Sequence, residues 1–343
     1  MRVYLYEMVS GGGALLPAAI TAEDTGLADI NDFHDVATLI SDGSQMLEQL
    51  VELFLLMPDV EVWVSVDSRL KQFGQQLKER TGADGNQPFV LYADAQTPWA
   101  VFEECCRGAD WTLIVAPELG GLLEDACGRC VVSGGRLLGS GLKLRQLGID
   151  KQRLHLWADN HDIPMPPWGI AEAGATNFNW STSKTLVKPI QGTGGVGIRV
   201  VGDSLPPDGK WLLETIVPGI PVSVVANLTK EEAVLLPPCH QILGGKGGYE
   251  YLSAELLEHE GHQQRAWGLS RRVLDALPLD GSSGWIGLDL ILGDNREEDF
   301  LIEINPRVTS TISVLSELES FVPDQWSRST NLTELMSEAM SGK

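Results

Sequence analysis

The chain has 343 residues, 43% of them apolar and 21% charged, the make-up of a soluble globular protein with about two or three domains. Its 25 Lys and Arg stand against 47 Asp and Glu, a net charge of −22. That balance speaks against a nucleic-acid or anionic-membrane surface, which needs a basic patch, but leaves room for an anionic small ligand held by a few local cations.

The first 145 residues alternate between two patterns. Strand-like runs fall at Arg2–Met8, Val60–Val66, Phe89–Tyr92 and Trp111–Ala116, and helix-like runs at Ser44–Leu56, Ser68–Arg80 and Thr97–Arg107. This alternation predicts a parallel α/β sheet. A further helix is expected over Leu119–Val131, then a short strand at Leu137-Leu138 after Gly134-Gly135. The opening run ends at Glu7 and a glycine cluster, too short for a signal peptide. No apolar run reaches the roughly 18 residues of a membrane span. The best one, Leu47–Met57, is broken by Glu48 and Glu52 and places Leu47, Leu50, Val51, Phe54 and Leu55 at helical spacing. A cytoplasmic protein is therefore expected, in which the N-x-S/T triplets at Asn179, Asn227 and Asn331 carry no meaning. Of five cysteines, Cys105 and Cys106 are adjacent and Cys127 and Cys130 form a C-x-x-C, with no second pair or histidine pair for zinc. Reduced, buried thiols are the expectation.

A second unit opens near Gly139-Ser140-Gly141. Residues 142–161 read as one helix, ended by Ile163-Pro164-Met165-Pro166-Pro167. β-rich runs follow at Thr185–Lys188, Gly197–Val201, Trp211–Thr215, Val222–Asn227, Ala233–Pro237, Trp285–Leu292 and Phe300–Asn305, interrupted by a helix over His262–Ala276. This half is expected to be α+β with antiparallel sheets. The residues after about 325 read as a polar tail without a clear pattern.

Two segments carry chemistry. Gln191-Gly192-Thr193-Gly194-Gly195-Val196-Gly197 contains a G-x-G-x-x-G match. A dinucleotide fold needs a helix after it, and here the β-branched Ile198-Arg199-Val200-Val201 follows. The loop therefore joins two strands, either as a flap whose backbone N–H groups wrap phosphates beside Lys188, or as a flexible hairpin next to an exposed lysine. The second segment is a hairpin of Trp285–Leu292 and Phe300–Arg307. Period-two alternation puts Glu303 and Asn305 on one face, about 7 Å apart, with Phe300, Ile302 and Ile304 on the other. An in-register turn sets Asp289 opposite Glu303. Two acids and an amide in apolar strands need a counter-charge, as a hard cation supplies, or a solvated sheet face.

Together these segments resemble the ATP-grasp superfamily over residues 140–315. The resemblance rests on the Lys151 helix with Ile163-Pro164-Met165-Pro166, Leu186-Val187-Lys188-Pro189 with its glycine loop, Leu212-Leu213-Glu214-Thr215-Ile216-Val217-Pro218-Gly219, Gly287-Leu288-Asp289-Leu290, and Ile302-Glu303-Ile304-Asn305-Pro306-Arg307. It implies a parallel α/β domain at 1–140, a two-lobed ATP-grasp module with its small lobe at 141–216 and its large, metal-holding lobe at 217–325, and a tail at 326–343. It implies ATP and Mg²⁺ (or Mn²⁺) as cofactors. Lys151, Lys188, Gly192, Thr193, Gly194 and Gly195 would meet phosphates, and Glu214, Thr215, Ile216 and Val217 the adenine. Asp289, Glu303 and Asn305 would ligate the metal, while Arg307 and Lys188 stabilise the transferring phosphate. Pro221 stands where many members carry an acid near the ribose, so that contact stays unassigned.

The implied activity is an ADP-forming ligation of a small-molecule carboxylate to an amine through an acyl-phosphate, with no nucleic-acid or membrane partner and a homo-oligomer compatible with it. An ATP-grasp kinase and a non-catalytic nucleotide sensor are the alternatives. A narrower resemblance lies in Ala109–Glu118, Leu137-Leu138-Gly139-Ser140 and Ile304–Thr311, which look like the ligases joining glutamate to tyramine in methanofuran-type cofactor biosynthesis. There Glu118 either faces substrate or caps a helix. His240, Lys246 and Tyr249 flank Gly244–Gly248, either a closing loop or a surface loop.

Overall fold

The computed structural model describes the chain except residues 13–35, 95, 119, 173–183, 193, 194, 196, 202–208, 231, 246, 325–327, 342 and 343, with backbone only at 36–39. Near the N-terminus, β1 (Arg2–Glu7), β2 (Glu61–Asp67), β3 (Phe89–Ala93) and β4 (Trp111–Val115) form a parallel sheet in the order β3-β2-β1-β4. Alternation along β1 divides its residues between two cores. Val3 and Leu5 pack with Leu47, Leu50, Val51 and Phe54 of α1 (Val36–Leu55). Tyr4 and Tyr6 pack with Phe102 of α3 (Pro98–Gly108), which follows α2 (Lys71–Glu79), and with Leu123 and Ala126 of α4 (Leu122–Val132). Both faces are covered, as parallel sheets require. The strand order reverses between β1 and β4, so their carboxyl ends border the crevice where open α/β sheets bind ligands. The expected strand at Leu137-Leu138 is a single parallel bridge from Leu137 to Thr112.

Residues 142–161, expected as one helix, form two: α5 (Leu142–Ile149) and α6 (Lys151–Asn160). Asp150 between them is extended, and its carboxylate accepts the Arg153 N–H at 2.9 Å. This N-cap restarts the helix and makes Lys151 its first residue.

Two antiparallel sheets follow. β5 (Trp168–Glu172), β6 (Thr185–Pro189), β7 (Arg199–Val200) and β8 (Lys210–Thr215) pair in the order β5-β8-β6-β7. The larger sheet holds β9 (Ile220–Leu228), β10 (Ala233–Leu235), β11 (Cys239–Gly244), β12 (Glu250–Leu256), β13 (Gly284–Leu292) and β14 (Phe300–Asn305). Its order is β12-β11-β9-β13-β14, with β10 on β9. α7 (Glu260–Ala276) buries Ala266, Leu269, Val273 and Leu274 against Val222, Val224, Ala226, Leu288 and Leu290. Strands β5, β11 and β12 were not among the expected elements. The Gly244–Gly248 stretch is the turn between β11 and β12, with Lys246 outside the described residues.

After the short helix α8 (Ile312–Leu315), the segment read as a polar tail is corrected. It contains α9 (Leu332–Ser341). Leu332, Leu335, Met336, Ala339 and Met340 are buried at helical spacing and join the core shared by the first domain and the large sheet. The Met340 carbonyl accepts Trp111 Nε1–H, and the Leu335 carbonyl accepts the Asn227 amide.

No helix among the described residues is long and apolar enough to cross a membrane. All five cysteines are buried and free, and burial pushes the Cys105, Cys127 and Cys239 thiols up to about 12.

Candidate active site

The β13–β14 hairpin pairs Asp289 with Glu303 and Gly287 with Asn305, so the two acids face each other as alternation predicts. The expected opposite face needs a correction. The register slips between Asp289 and Leu290, which pairs with Leu301. Ile302 is therefore the extra residue of a bulge, and Leu301 and Ile304 supply the buried face instead.

Asp289 accepts the Asn305 amide at 2.8 Å and the Gln241 amide at 3.1 Å. Enclosure by the protein and the nearby Glu303 charge push its carboxyl up to about 6. An acid held that far above its ordinary range lacks a full counter-charge. Among the described residues no three His, Cys, Asp or Glu side chains gather around one point. Two carboxylates and an amide fit Mg²⁺ or Mn²⁺ completed by phosphate and water, rather than a cation caged wholly by protein.

Lys151 reaches this hairpin from the start of α6. Its ammonium donates to Glu303 Oε1 at 2.6 Å and to the Gly192 carbonyl at 2.8 Å, while its backbone N–H donates to the Ile190 carbonyl at 3.0 Å. The capped start of α6 thus ties the glycine loop to the acid pair. The glycine loop runs into β7, not into a helix, which removes the dinucleotide reading. Thr193 and Gly194 lie outside the described residues. Gly195 has φ +78°, and a Cβ there would sit 2.2 Å from the Tyr249 carbonyl oxygen. The loop therefore abuts the β11–β12 turn across the cleft.

Lys188 is the penultimate residue of β6 and is buried. Its ammonium pairs with Glu214 Oε1 on β8, and His155 Nε2 of α6 meets Glu214 Oε2 at 3.0 Å. Burial works to raise the Glu214 pKa, but Lys188 and His155 outweigh it and hold the carboxyl below its ordinary value. The Glu214 carboxylate, expected near adenine, is thus turned inward. Half-buried Thr215, Ile216 and Val217 follow it where the chain passes from β8 to β9.

Arg307 follows β14. Its Nη2 and Nε each lie 2.8 Å from an oxygen of Glu118, and Nη1 donates to the Val308 carbonyl at 3.0 Å. Burial opposes the guanidinium charge, yet Glu118 raises its pKa above the ordinary value. Glu118 is buried just beyond β4, in the crevice at the carboxyl end of the parallel sheet. It does not cap the following helix, whose N-cap is Gly121. Sequence reading marked Glu118 without a partner and missed His155 and Gln241. Asp-Lys at a helix start and alternation around Cys239–Gly244 were the signals available. His240, which the sequence singled out, instead pairs with exposed Glu255 at 3.2 Å. Tyr251 of β12 lies near the acid pair, and burial, Cys239 and Asp289 together push its phenol up to about 12.

Two family models match the chain: that of an ATP-grasp domain over residues 149–311 and that of a pre ATP-grasp 3 domain over residues 60–143. No curated protein matches it. Solved structures share the fold. An ATP-grasp superfamily protein from Archaeoglobus fulgidus superposes with a TM-score of 0.62 at 17% identity, over 90% of this chain and 81% of that one. N5-carboxyaminoimidazole ribonucleotide synthetase from Thermotoga maritima gives 0.58 at 14% identity, over 99% and 76%. D-alanyl-alanine synthetase A from Vibrio cholerae gives 0.57 at 15% identity, over 99% and 97%. Identities of this size speak to the fold alone.

Proposed function

The chain belongs to the ATP-grasp superfamily, and on that premise we propose that it is an ATP-dependent ligase joining a small-molecule carboxylate to an amine, with release of ADP and phosphate. The observation that carries the reading is that Lys151 holds both the glycine loop, at the Gly192 carbonyl, and Glu303, which faces Asp289, with the Arg307 charge interacting with both acids. We read residues 1–140 as the domain that completes the substrate site, 141–216 as the small lobe and 217–325 as the large lobe.

In this reading the substrate carboxylate attacks the γ-phosphorus of ATP, the β–γ bridging bond breaks, and ADP departs from the new acyl-phosphate. The amine then attacks the acyl carbon, phosphate leaves, and a proton is released. Mg²⁺ held by Asp289, Glu303 and Asn305 would neutralise charge on the β- and γ-phosphates. Lys151 and Lys188 bind phosphate oxygens, Gly192 and Gly195 let the backbone approach them, and Thr215–Val217 border the adenine. Arg307, oriented by Glu118, stabilises charge on the transferring phosphoryl group. Positioning and charge neutralisation are most of what phosphoryl transfer asks of a protein.

Glutamate and tyramine are the first substrate pair to test, and a cytoplasmic setting suits the five free thiols. The experiment is ADP release from the purified full chain with MgATP across a panel of acids and amines. ADP and phosphate formed only when both an acid and an amine are present support ligation. AMP and pyrophosphate, or phosphate retained on a product, would overturn it.

A further inference from the structure

Three side chains behind the nucleotide cleft form a buried line. Lys188 on β6 pairs with one oxygen of Glu214 on β8, and the other oxygen meets His155 Nε2 at 3.0 Å. His155 and Glu214 are 1% and 2% exposed. With Glu214 held ionised, its carboxylate only accepts, so His155 Nε2 carries the donated proton. The imidazole stacks on Trp168 of β5 with ring centroids 4.9 Å apart and planes 27° apart. Trp168 is anchored in turn: its Nε1–H donates to Asp159 at 3.1 Å, one helical turn beyond His155 on α6. Trp168 also pairs with Glu214 across the β5–β8 ladder. The ring is thus fixed in plane, and its one polar contact among the described residues is the bond to Glu214.

We propose that His155 is a positioning residue for nucleotide binding: by holding Glu214 it fixes the direction in which the Lys188 ammonium points. A lysine has four rotatable side-chain bonds, and ordering it on ligand arrival weakens binding. Here the ordering is completed before the nucleotide enters, because α6 supplies both the His155 bond and, through Asp159, the wall behind it. The same helix places Lys151 at its first residue, so one rigid element sets both phosphate-side lysines. An apolar residue at 155 would fill the space but leave one Glu214 oxygen buried without a partner, and the Lys188 ammonium free to follow its carboxylate.

The inference rests on the reading of Lys188 as a phosphate-binding lysine. Its test is calorimetric titration of the full-length chain with Mg²⁺ and a non-hydrolysable ATP analogue, alongside thermal melts. His155→Ala is expected to weaken binding about tenfold, the scale of losing a hydrogen bond to a charged group. His155→Gln, whose amide can still donate to Glu214, is expected to recover most of that loss. Ala158→Gly, on the same helix but outside this line, is expected to lower the melting temperature and leave affinity unchanged. If wild type and His155→Ala bind alike, or if affinity falls in step with melting temperature in all three variants, the inference is overturned while the ATP reading stands. A wild-type chain that binds no nucleotide overturns both.

Discussion

Lys151 and Glu303 share one short contact, Nζ to Oε1 at 2.6 Å, which joins the first turn of α6 to the last strand of the large sheet. The same ammonium holds the Gly192 carbonyl at 2.8 Å. A single cation therefore pairs with one acid of the facing pair and anchors the glycine loop. In the proposed function, the nucleotide phosphates and the metal would compete for these same partners.

Replacing Glu303 by Gln tests that arrangement. The amide keeps an oxygen acceptor for Lys151, which also retains Gly192, and it removes the repulsion facing Asp289. Stability is therefore expected to change little, while turnover falls about 100-fold or more, the scale of losing an electrostatic group in a preorganised site. ADP release and thermal melts on the same preparation check both halves. Unchanged ATPase activity would sink the metal role of Glu303.

Asp289 sets a pH dependence. Its enclosure and Glu303 push its carboxyl up to about 6, above the ordinary aspartate value. A metal needs the deprotonated form. Mn²⁺ affinity is expected to be flat above about pH 7 and to fall about tenfold per unit below about pH 6. Titrations followed by paramagnetic resonance between pH 5 and 8 would show the break, and its absence in Asp289→Asn would assign it.

Arg307 and Glu118 are predicted to act as a unit. Their two-point pairing joins a loop of the parallel-sheet domain to the strand that carries the acid site. Glu118→Gln is expected to lower turnover about 10- to 100-fold, as loss of an orienting partner does. A double-mutant cycle with Arg307→Lys should give a coupling of about 1–3 kcal/mol. Additive effects would mean that Glu118 only fills space.

The C-terminal helix is expected to be part of the folding unit. Leu335 is fully buried in the core shared by the first domain and the large sheet. Leu335→Ala should cost about 2–5 kcal/mol of stability, read by urea denaturation. A loss below about 0.5 kcal/mol, as at surface sites, would show that α9 is a dispensable appendage.

Much of this was legible along the chain because its physical cause is local. Period-two alternation sets Asp289, Glu303 and Asn305 in apolar strands, and the β-branched run after Gly197 rules out a helix there. The spacing of Leu332, Leu335, Met336, Ala339 and Met340 was equally local, and only the polar residues around it concealed α9. The Asp150 cap was likewise readable, yet two helices in tandem share one continuous helical pattern. The bulge at Ile302 was not readable, since alternation alone cannot tell which residue a partner strand skips.

The sequence by itself determined the alternating α/β start, the glycine-rich connection between strands and the carboxylate hairpin, since each depends on neighbours a few residues away. Tertiary structure alone decided how the charges pair. Lys151 meets Glu303 across 152 positions, and Arg307 meets Glu118 across 189. A buried charge takes whichever partner the fold brings within reach, because leaving it unpaired is costly. Only the packing of α5 against β14, which brings Lys151 to Glu303, and the meeting of the segments that follow β4 and β14 settle which partner that is.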